Sequence, residues 1–403
     1  MKPISFIITN YNTKKYTEWC YNSIRKNLGY FHEIVLLDDG SSDGTWELLK
    51  EIKKKDIGVK IHGNTKNKGI ASSYNKMVEL ASNEIVCMLH SDMYVPPKFD
   101  EIMLKYMEDY DFITPLRVEP PVGYPESVDK VLMNFGNDSS HFKHYDFIKW
   151  HEKNMEENQG RVEQRMFFPW MIKKSLYEKI NGNDELFSKY MVADDDFYLR
   201  IKMSGAKYCQ LFETAVYHMP SKSVRMRETD DEIQSGYEHQ YQKSIRNFIR
   251  KWGCWPAEVW NENRDMIIPN KYDVGFVVKN CDINSLVFLE TWCSDIYIVG
   301  DDEYIKNYIS MEQKNTLYDL KSKIHIIRSI YDTKELDFKN NILVEFDVKE
   351  LNQERLSFIQ QLSNILSNSG EIGLMEYDIF KFNIKSLSEC QNDNIDNKSN
   401  RRI

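Results

Sequence analysis

The 403-residue sequence has no apolar run near the roughly 18 residues that a membrane-spanning helix requires; Ile4–Ile8, Ile34–Leu37 and Ile85–Leu89 are strand-sized. Met1-Lys2-Pro3 passes directly into such a run, so no signal peptide is expected. Cysteine is scarce and odd in number: Cys20, Cys87, Cys209, Cys254, Cys281, Cys293 and Cys390, with no CxxC pair. That excludes a disulfide framework and a structural zinc site as expectations, and it points to a reducing, cytoplasmic compartment. Positive charge is not in excess either. Lys and Arg number 53 against 62 Asp and Glu, a net charge of −9, so no global electrostatic attraction to nucleic acid is expected. No internal repeat is present. What remains is 41% hydrophobic and 29% charged, the balance of a soluble globular protein with two or three domains.

The first hundred residues alternate between strand and helix signals. Strands are predicted at Ile4–Thr9, Glu33–Asp38, Val59–His62 and Glu84–Leu89, and helices at Lys14–Asn27, Thr45–Lys54 and Ile70–Ser82. Ser42 or Asp43 is positioned to cap the second helix. In the third, Ile70, Tyr74, Met77, Val78 and Ala81 fall on one face. Such alternation builds a mostly parallel sheet with helices on both faces, and ligands of such sheets bind at the carboxyl ends of the strands. Polar clusters stand at those ends: Thr9-Asn10-Tyr11-Asn12, Asp38-Asp39 and His90-Ser91-Asp92. Together they favour a nucleotide site over ordinary turns.

Residues 110–165, with Pro115, Pro120, Pro121 and Pro125, read as short strands and loops. A helix is predicted at Lys173–Ile180, and Asp194-Asp195-Asp196 leads into another at Phe197–Ser204. From about Lys271 periodicity restarts, with strands at Tyr272–Val278, Ile296–Val299, Ile324–Ile327 and Asn341–Phe346 and an amphipathic helix at Glu354–Leu366. The organisation expected is a catalytic domain over 1–265, a second, smaller α/β domain over 272–388, and a disordered tail at 391–403.

The motifs then take on a family likeness. Ser5-Phe6-Ile7-Ile8-Thr9-Asn10-Tyr11-Asn12 is followed by Val35-Leu36-Leu37-Asp38-Asp39-Gly40-Ser41-Ser42-Asp43-Gly44-Thr45. Asn67-Lys68-Gly69 with Asn75, Leu89-His90-Ser91-Asp92, Ala193-Asp194-Asp195-Asp196-Phe197-Tyr198-Leu199-Arg200, Val216-Tyr217-His218 and Lys251-Trp252-Gly253 come next. In this order they resemble the inverting family 2 glycosyltransferases of the GT-A fold, over about residues 1–255. The resemblance implies a Rossmann-like, mostly parallel sheet. It also implies transfer of a sugar from a nucleoside-diphosphate donor (UDP, GDP or dTDP type) to a hydroxyl of a glycan or glycoconjugate by single displacement.

By that resemblance Asp92 ends the family's DxD motif and binds a divalent metal, Mn²⁺ or Mg²⁺, with His218 as a second ligand. A cation there neutralises the charge that grows on a diphosphate leaving group. His90 stands where the family has Asp, which leaves it as metal ligand, ribose contact or structural residue. Asp194 aligns with the catalytic aspartate of the ED motif; Ala193 replaces the glutamate, so Asp195 stays an alternative base. Three adjacent carboxylates repel one another, which favours proton uptake by one of them. Thr9, Asn10, Tyr11, Asn12, Asp39, Lys68, Asn75 and Ser91 are the donor-nucleotide candidates, with Asp39 accepting from a ring N–H. Trp170 is the acceptor-side candidate, either stacking on a sugar or packing in the core. Lys222, Arg225 and Arg227 are read as diphosphate cover or as a solvated loop.

Two other classes compete. A nucleotidyltransferase would carry a glycine-rich phosphate loop, and Thr9–Thr13 has no glycine. A degenerate carbohydrate-binding protein is suggested by His90 and Ala193, and opposed by the retention of Asp92, Asp194 and His218. Lys243–Trp260 mixes cations with aromatics, as peripheral membrane segments do, or closes the catalytic domain. The second domain lacks GxGxxG after its first strand, which argues against dinucleotide or methyl-donor binding; acceptor recognition and homo-oligomer formation remain for it.

Overall fold

The computed structural model describes residues 2–122, 127–128, 130–187, 192–220, 231–256, 272–300, 303–316, 318–327 and 338–390. It divides into two compact units, Met1–Glu238 and His239–Ile403. The loop bearing Lys222, Arg225 and Arg227, residue Lys271 and the tail at 391–403 lie outside the described residues.

The first unit runs β1 (Ile4–Asn10), α1 (Lys14–Asn27), β2 (Glu33–Asp38), α2 (Thr45–Lys55), β3 (Val59–Gly63), α3 (Ile70–Leu80), β4 (Ile85–His90), β5 (Met93–Tyr94), α4 (Phe99–Tyr106), β6 (Phe112–Glu119), β7 (Lys130–Leu132), α5 (His144–Glu157), β8 (Val162–Glu163), β9 (Trp170–Lys173), α6 (Lys174–Lys179), α7 (Ala193–Met203) and β10 (Tyr208–His218). Helix α8 (Asp231–Trp252) carries the chain into the second unit. The sheet order is β3-β2-β1-β4-β9-β6-β10-β5, with β7 on β6 and β8 on β10. β1, β2, β3 and β4 pair in parallel, as do β6 and β10, while β9, β5 and β8 run against them. Both faces are covered, which is why the strands read as continuous apolar runs. Side chains alternate across β1: Ile4, Phe6 and Ile8 join Cys20, Ile24 and Leu49 in one cluster, and Ile7 joins Tyr74, Met77 and Val78 in another. Each fully buried side chain of this size contributes roughly 1.5–3 kcal/mol.

Residues 110–165 are more regular than the sequence suggests. β6 is an eight-residue, wholly buried strand despite Pro115. Proline cannot donate to a ladder, and β10 bulges where it faces Pro115: Leu211 pairs with Pro115, but Ala215 pairs with Leu116. The bulge is tied down by α5, where His151 Nε2 meets Thr214 Oγ1 at 3.0 Å and Asn154 Nδ2 donates to the Phe212 carbonyl at 2.8 Å. The buried stripe of α5 therefore contains polar residues, which hides it from a search for apolar periodicity.

The second unit has β11 (Val274–Lys279), α9 (Ile283–Leu289), β12 (Asp295–Val299), α10 (Glu303–Glu312), α11 (Leu320–Lys323), β13 (Ile324–Ile327), β14 (Ile342–Asp347), α12 (Gln353–Gln360), α13 (Leu362–Ser369), β15 (Gly373–Tyr377) and β16 (Phe380–Ile384). Its sheet order is β13-β12-β11-β14-β16-β15, the first four strands parallel and the last two antiparallel. The amphipathic helix predicted at Glu354–Leu366 is two helices, interrupted at Gln361. The cations read as a membrane-facing stretch turn inward. Arg250 bonds Glu290 and Glu312, Arg246 makes a two-pronged contact with Glu312 at 2.8 and 2.7 Å, and Trp252 is fully buried. Among the described residues no helix is long and apolar enough to cross a membrane.

Candidate active site

Parallel pairing brings the carboxyl ends of β1, β2, β4, β6 and β10 to one edge of the sheet, and the candidate residues gather there. Strand register does the fine positioning. His218 at the end of β10 follows the pair Tyr217–Val118, so it arrives beside Glu119. It also pairs with Met93 of β5, and the Met219 N–H donates to the Asp92 carbonyl at 3.0 Å, which holds Asp92 against the same histidine. Thr9 of β1 pairs with His90.

His90, Asp92 and His218 each offer a ligand-capable atom, and these atoms lie within 4.8 Å of one another. His218 Nε2 stands 3.5 Å from Asp92 Oδ1, a buried oxygen with no hydrogen-bond partner among the described residues. His218 Nδ1 is 2.7 Å from Glu119 Oε1. An ionised carboxylate only accepts, so Nδ1 carries the hydrogen and Nε2 faces Asp92. Burial disfavours the charge on both residues, yet each holds the other: Asp92 titrates below the usual carboxylate range and His218 above the usual imidazole range. Burial likewise opposes ionisation of Glu119, but the His218 hydrogen bond, Arg117 and Lys130 bring it down to about 2. Burial lowers His90 to about 4, against the pull of Asp92, so this ring is neutral at pH 7. A buried orphan oxygen, an imidazole nitrogen aimed at it and a second imidazole beside them form a donor set that fits a divalent cation.

The acidic run opens α7. Val192 precedes it with a left-handed φ of 73°, a costly conformation for a β-branched residue. Its three carboxylates have separate fates. Asp196 is fully buried and spent on Arg200, whose Nε and Nη2 donate to Asp196 Oδ2 at 3.0 and 2.8 Å, while Nη1 donates to the carbonyls of Ile180 and Gly182. Asp194 is strongly perturbed: burial lifts it to about 7, Asp195 adds to the lift, and Arg117 opposes it. Arg117 itself lies over Phe168, 4.2 Å from the ring centroid, and Phe168 packs on His90 at 4.6 Å.

The chain has likenesses to known proteins. Residues 5–180 match the glycosyl transferase family 2 model. They are a family 2 glycosyltransferase domain. An uncharacterized glycosyltransferase of Haemophilus influenzae is 25% identical over 348 residues, covering 85% of this chain and 94% of that protein. Dolichol-phosphate mannosyltransferase of Pyrococcus furiosus is 34% identical over 106 residues, 26% of this chain and 29% of that one. Among solved structures, S. aureus TarS 1–349 in complex with UDP-GlcNAc aligns with a TM-score of 0.44 and 16% identity, covering 66% of this chain and 68% of that one.

Within the family 2 domain, several predicted site residues are engaged in hydrogen bonds with the chain itself. Asn10 is buried; its amide donates to the carbonyls of Ile8 and Leu37 and its oxygen accepts from Thr17 at 2.8 Å. Asn12, at φ 54°, accepts from the Ser42 N–H at 2.7 Å and gives its own N–H to Ser41. Asp43, expected as a cap, accepts from the N–H groups of both Lys14 and Thr45. Asp39 accepts from Asn64 Nδ2, the Lys68 N–H and the Gly69 N–H at 2.8–2.9 Å, which lashes the loop before α3 onto the loop after β2. Gly40 permits that approach: its φ is +82° and a Cβ there would meet Lys66 backbone at 2.8 Å. Ser91 Oγ donates to Thr13 Oγ1 at 3.1 Å. Asn75 is spent on Tyr177 and the backbone of Asn183. Thr9 and Tyr11 are half-buried and Lys68 is exposed. Trp170 needs correction as an acceptor-side residue: it is 1% exposed, packed among Tyr74, Phe112 and Phe197, and has no free face for a sugar.

Sequence reasoning missed Glu119, Arg117, Phe168 and Tyr74. Glu119 left a signal, a carboxylate closing an apolar strand just before Pro120-Pro121. Phe168 lies two residues before Trp170 in the segment that already drew notice.

Proposed function

We propose that the first unit, with the whole donor site inside residues 1–265, transfers a sugar from a nucleoside-diphosphate donor to an acceptor hydroxyl with inversion at the anomeric carbon. The observation that carries this reading is the cluster of half-buried His90 with buried Asp92 and His218 at the carboxyl edge of the sheet, where ligands of such sheets sit. Asp92 and His218 would hold a divalent cation there, whose charge offsets the negative charge developing on the departing diphosphate.

The remaining work belongs to the chain's own groups. Asp194, with its carboxyl raised to about 7 by burial and by Asp195, has the proton affinity of an effective base near neutral pH. As the acceptor oxygen attacks C1, its proton passes to Asp194, the C1–O bond to the β-phosphate breaks, and the nucleoside diphosphate leaves with the bonding pair. Glu119 fixes the tautomer of His218. Asp39, Asn12 and Asn10 hold the two loops that flank Thr9 and Tyr11, the half-buried residues that would meet the base. We read acceptor choice as the role of the second unit, whose described residues hold no cluster of metal-ligating side chains.

Incubating the full chain with a panel of sugar nucleotides and Mn²⁺, with the product anomer read by NMR, tests the proposal. Donor hydrolysis or transfer with inverted configuration is expected. Retained configuration overturns the mechanism, and pyrophosphate exchange without sugar release points to nucleotidyl transfer.

A further inference from the structure

The replacement of a motif carboxylate by His90 is accompanied by a support structure that a casual substitution would not need. His90 Nε2 is hydrogen-bonded to the Tyr74 hydroxyl at 3.0 Å, and Phe168 covers one ring face with centroids 4.6 Å apart and planes tilted by 32°. Tyr74 is 2% exposed and braced edge-on by Trp170 at 6.1 Å. The imidazole is therefore fixed in position and tilt. In the tautomer whose Nε2–H donates to Tyr74, Nδ1 keeps its lone pair for a cation, and a ligand-capable atom of the ring lies within 4.8 Å of those of both Asp92 and His218. A ribose contact would need one hydrogen bond and no convergence with two other donors.

We propose that His90 is a direct third protein ligand, positioned by Tyr74, so that the cation of this site is held by two imidazoles and one carboxylate. This rests on the transferase reading above and adds two consequences to it. The first is metal choice. Imidazole nitrogen suits transition dications, whereas Mg²⁺ keeps to oxygen donors and to its own waters. A site with two nitrogens and one oxygen takes Mn²⁺ and the later transition dications in preference to Mg²⁺. The second is charge. Exchanging a carboxylate for a neutral imidazole leaves the bound ion with one more unit of positive charge to present to the donor's diphosphate. The nucleoside diphosphate should accordingly depend on His90 for affinity without touching it.

The test uses the full chain with Mn²⁺ as probe, read by electron spin-echo modulation from directly bound nitrogen and by calorimetric titration. Wild type should show two coupled imidazole nitrogens. His90→Ala should show one, with Mn²⁺ affinity down at least tenfold and circular dichroism unchanged. Tyr74→Phe should keep both nitrogens but weaken Mn²⁺ about tenfold, as loss of a ligand's supporting hydrogen bond does. His90→Asp should let Mg²⁺ displace Mn²⁺ at concentrations about tenfold lower and should weaken UDP or GDP binding in the presence of metal. One coupled nitrogen in wild type, or unaltered Mn²⁺ affinity in His90→Ala, overturns the ligand assignment. An unchanged Mg²⁺/Mn²⁺ ratio in His90→Asp overturns the selectivity. Sugar-nucleotide turnover by the same wild-type preparation is scored separately; its absence refutes the transferase reading, and its presence with a single nitrogen refutes only this one.

Discussion

Asp194→Asn should abolish transfer and stabilise the fold, and the gain should depend on pH in a calculable way. Asp194 titrates near 3.8 in an unfolded chain and at about 7 in the native state, because burial and the adjacent Asp195 disfavour its charge. Below pH ~4 the group is protonated in both states and costs nothing. Between ~4 and 7 the unfolded chain releases the proton while the native state keeps it, so stability falls as pH rises. Above 7 the cost is constant. A difference of roughly three pKa units corresponds to a ceiling of ~4 kcal/mol; because the side chain is half-buried, screening reduces this to about 1–3 kcal/mol. Asparagine preserves shape and cannot ionise, so Asp194→Asn recovers that amount above pH 7 and nothing at pH 4. For a unit of this size it amounts to a rise of several degrees in melting temperature, at roughly 2–4 °C per kcal/mol.

The assay is a pair of thermal melts at half-unit pH intervals from 4 to 9, in chelator-treated buffer so that ligand binding does not contribute. Sugar transfer is measured on the same preparations. A stability difference that grows from pH 4 and levels off above 7, together with a loss of transfer by a factor of about 10²–10⁴, is the expected pattern. A gain that is flat with pH, or an Asp194→Asn variant less stable than wild type at pH 8, would refute the claim that a strained charge is kept for catalysis. Unimpaired transfer by Asp194→Asn alongside a dead Asp195→Asn would move the base by one residue.

The wild-type transfer rate should rise about tenfold per unit up to pH 7 and then level, since the base must be ionised; Asp195→Asn should move that limb to lower pH, because it removes the charge that opposes Asp194, as initial rates across pH will read. Glu119→Gln should lower Mn²⁺ affinity by about 10–100-fold in calorimetry while the protein stays folded, because His218 loses the charged partner that fixes its tautomer. Arg250→Leu should cost the second unit about 3–5 kcal/mol in denaturant titrations, since Glu290, fully buried, would lose its guanidinium partner.

Much of the first hundred residues was legible because the rules acting there are local. α1 and β2 match their predicted bounds, since an apolar strand or a spaced helical face is visible residue by residue. His90, Asp92 and His218, which the fold brings together, stood at or just past strand ends, where parallel sheets expose their polar residues. What escaped was set by long-range pairing. Nothing local in Asp194-Asp195-Asp196 says which carboxylate is structural. The Arg200 four residues after Asp196 is the only hint, and it becomes decisive once the Arg200 guanidinium is seen to reach the carbonyls of Ile180 and Gly182. Trp170 and Phe168 lie two positions apart, yet one is sealed in the core and the other packs on His90. Glu119 acquires meaning only when the register of β6 against β10 sets it beside His218.

Hydrogen-bond satisfaction separates the two kinds of polar residue that crowd this edge. Asn10, Asn75 and Asp196 have their polar atoms engaged by protein partners, so their burial is compensated and their removal should act through stability. Asp39 belongs with them: three donors already hold its carboxylate, so at most one further acceptor position is left for a base, and its loss would free the loop at 64–69 as well. Asp92 and Asp194 are the opposite case. One carries a buried oxygen that faces His218 Nε2 at 3.5 Å without a hydrogen bond among the described residues, and the other a carboxylate whose charge its surroundings resist. Both burdens are relieved by what the proposed reaction brings, a cation for Asp92 and a proton for Asp194. For Asp194 that cost is uncompensated, whereas Asp92 is compensated only by the charge of His218.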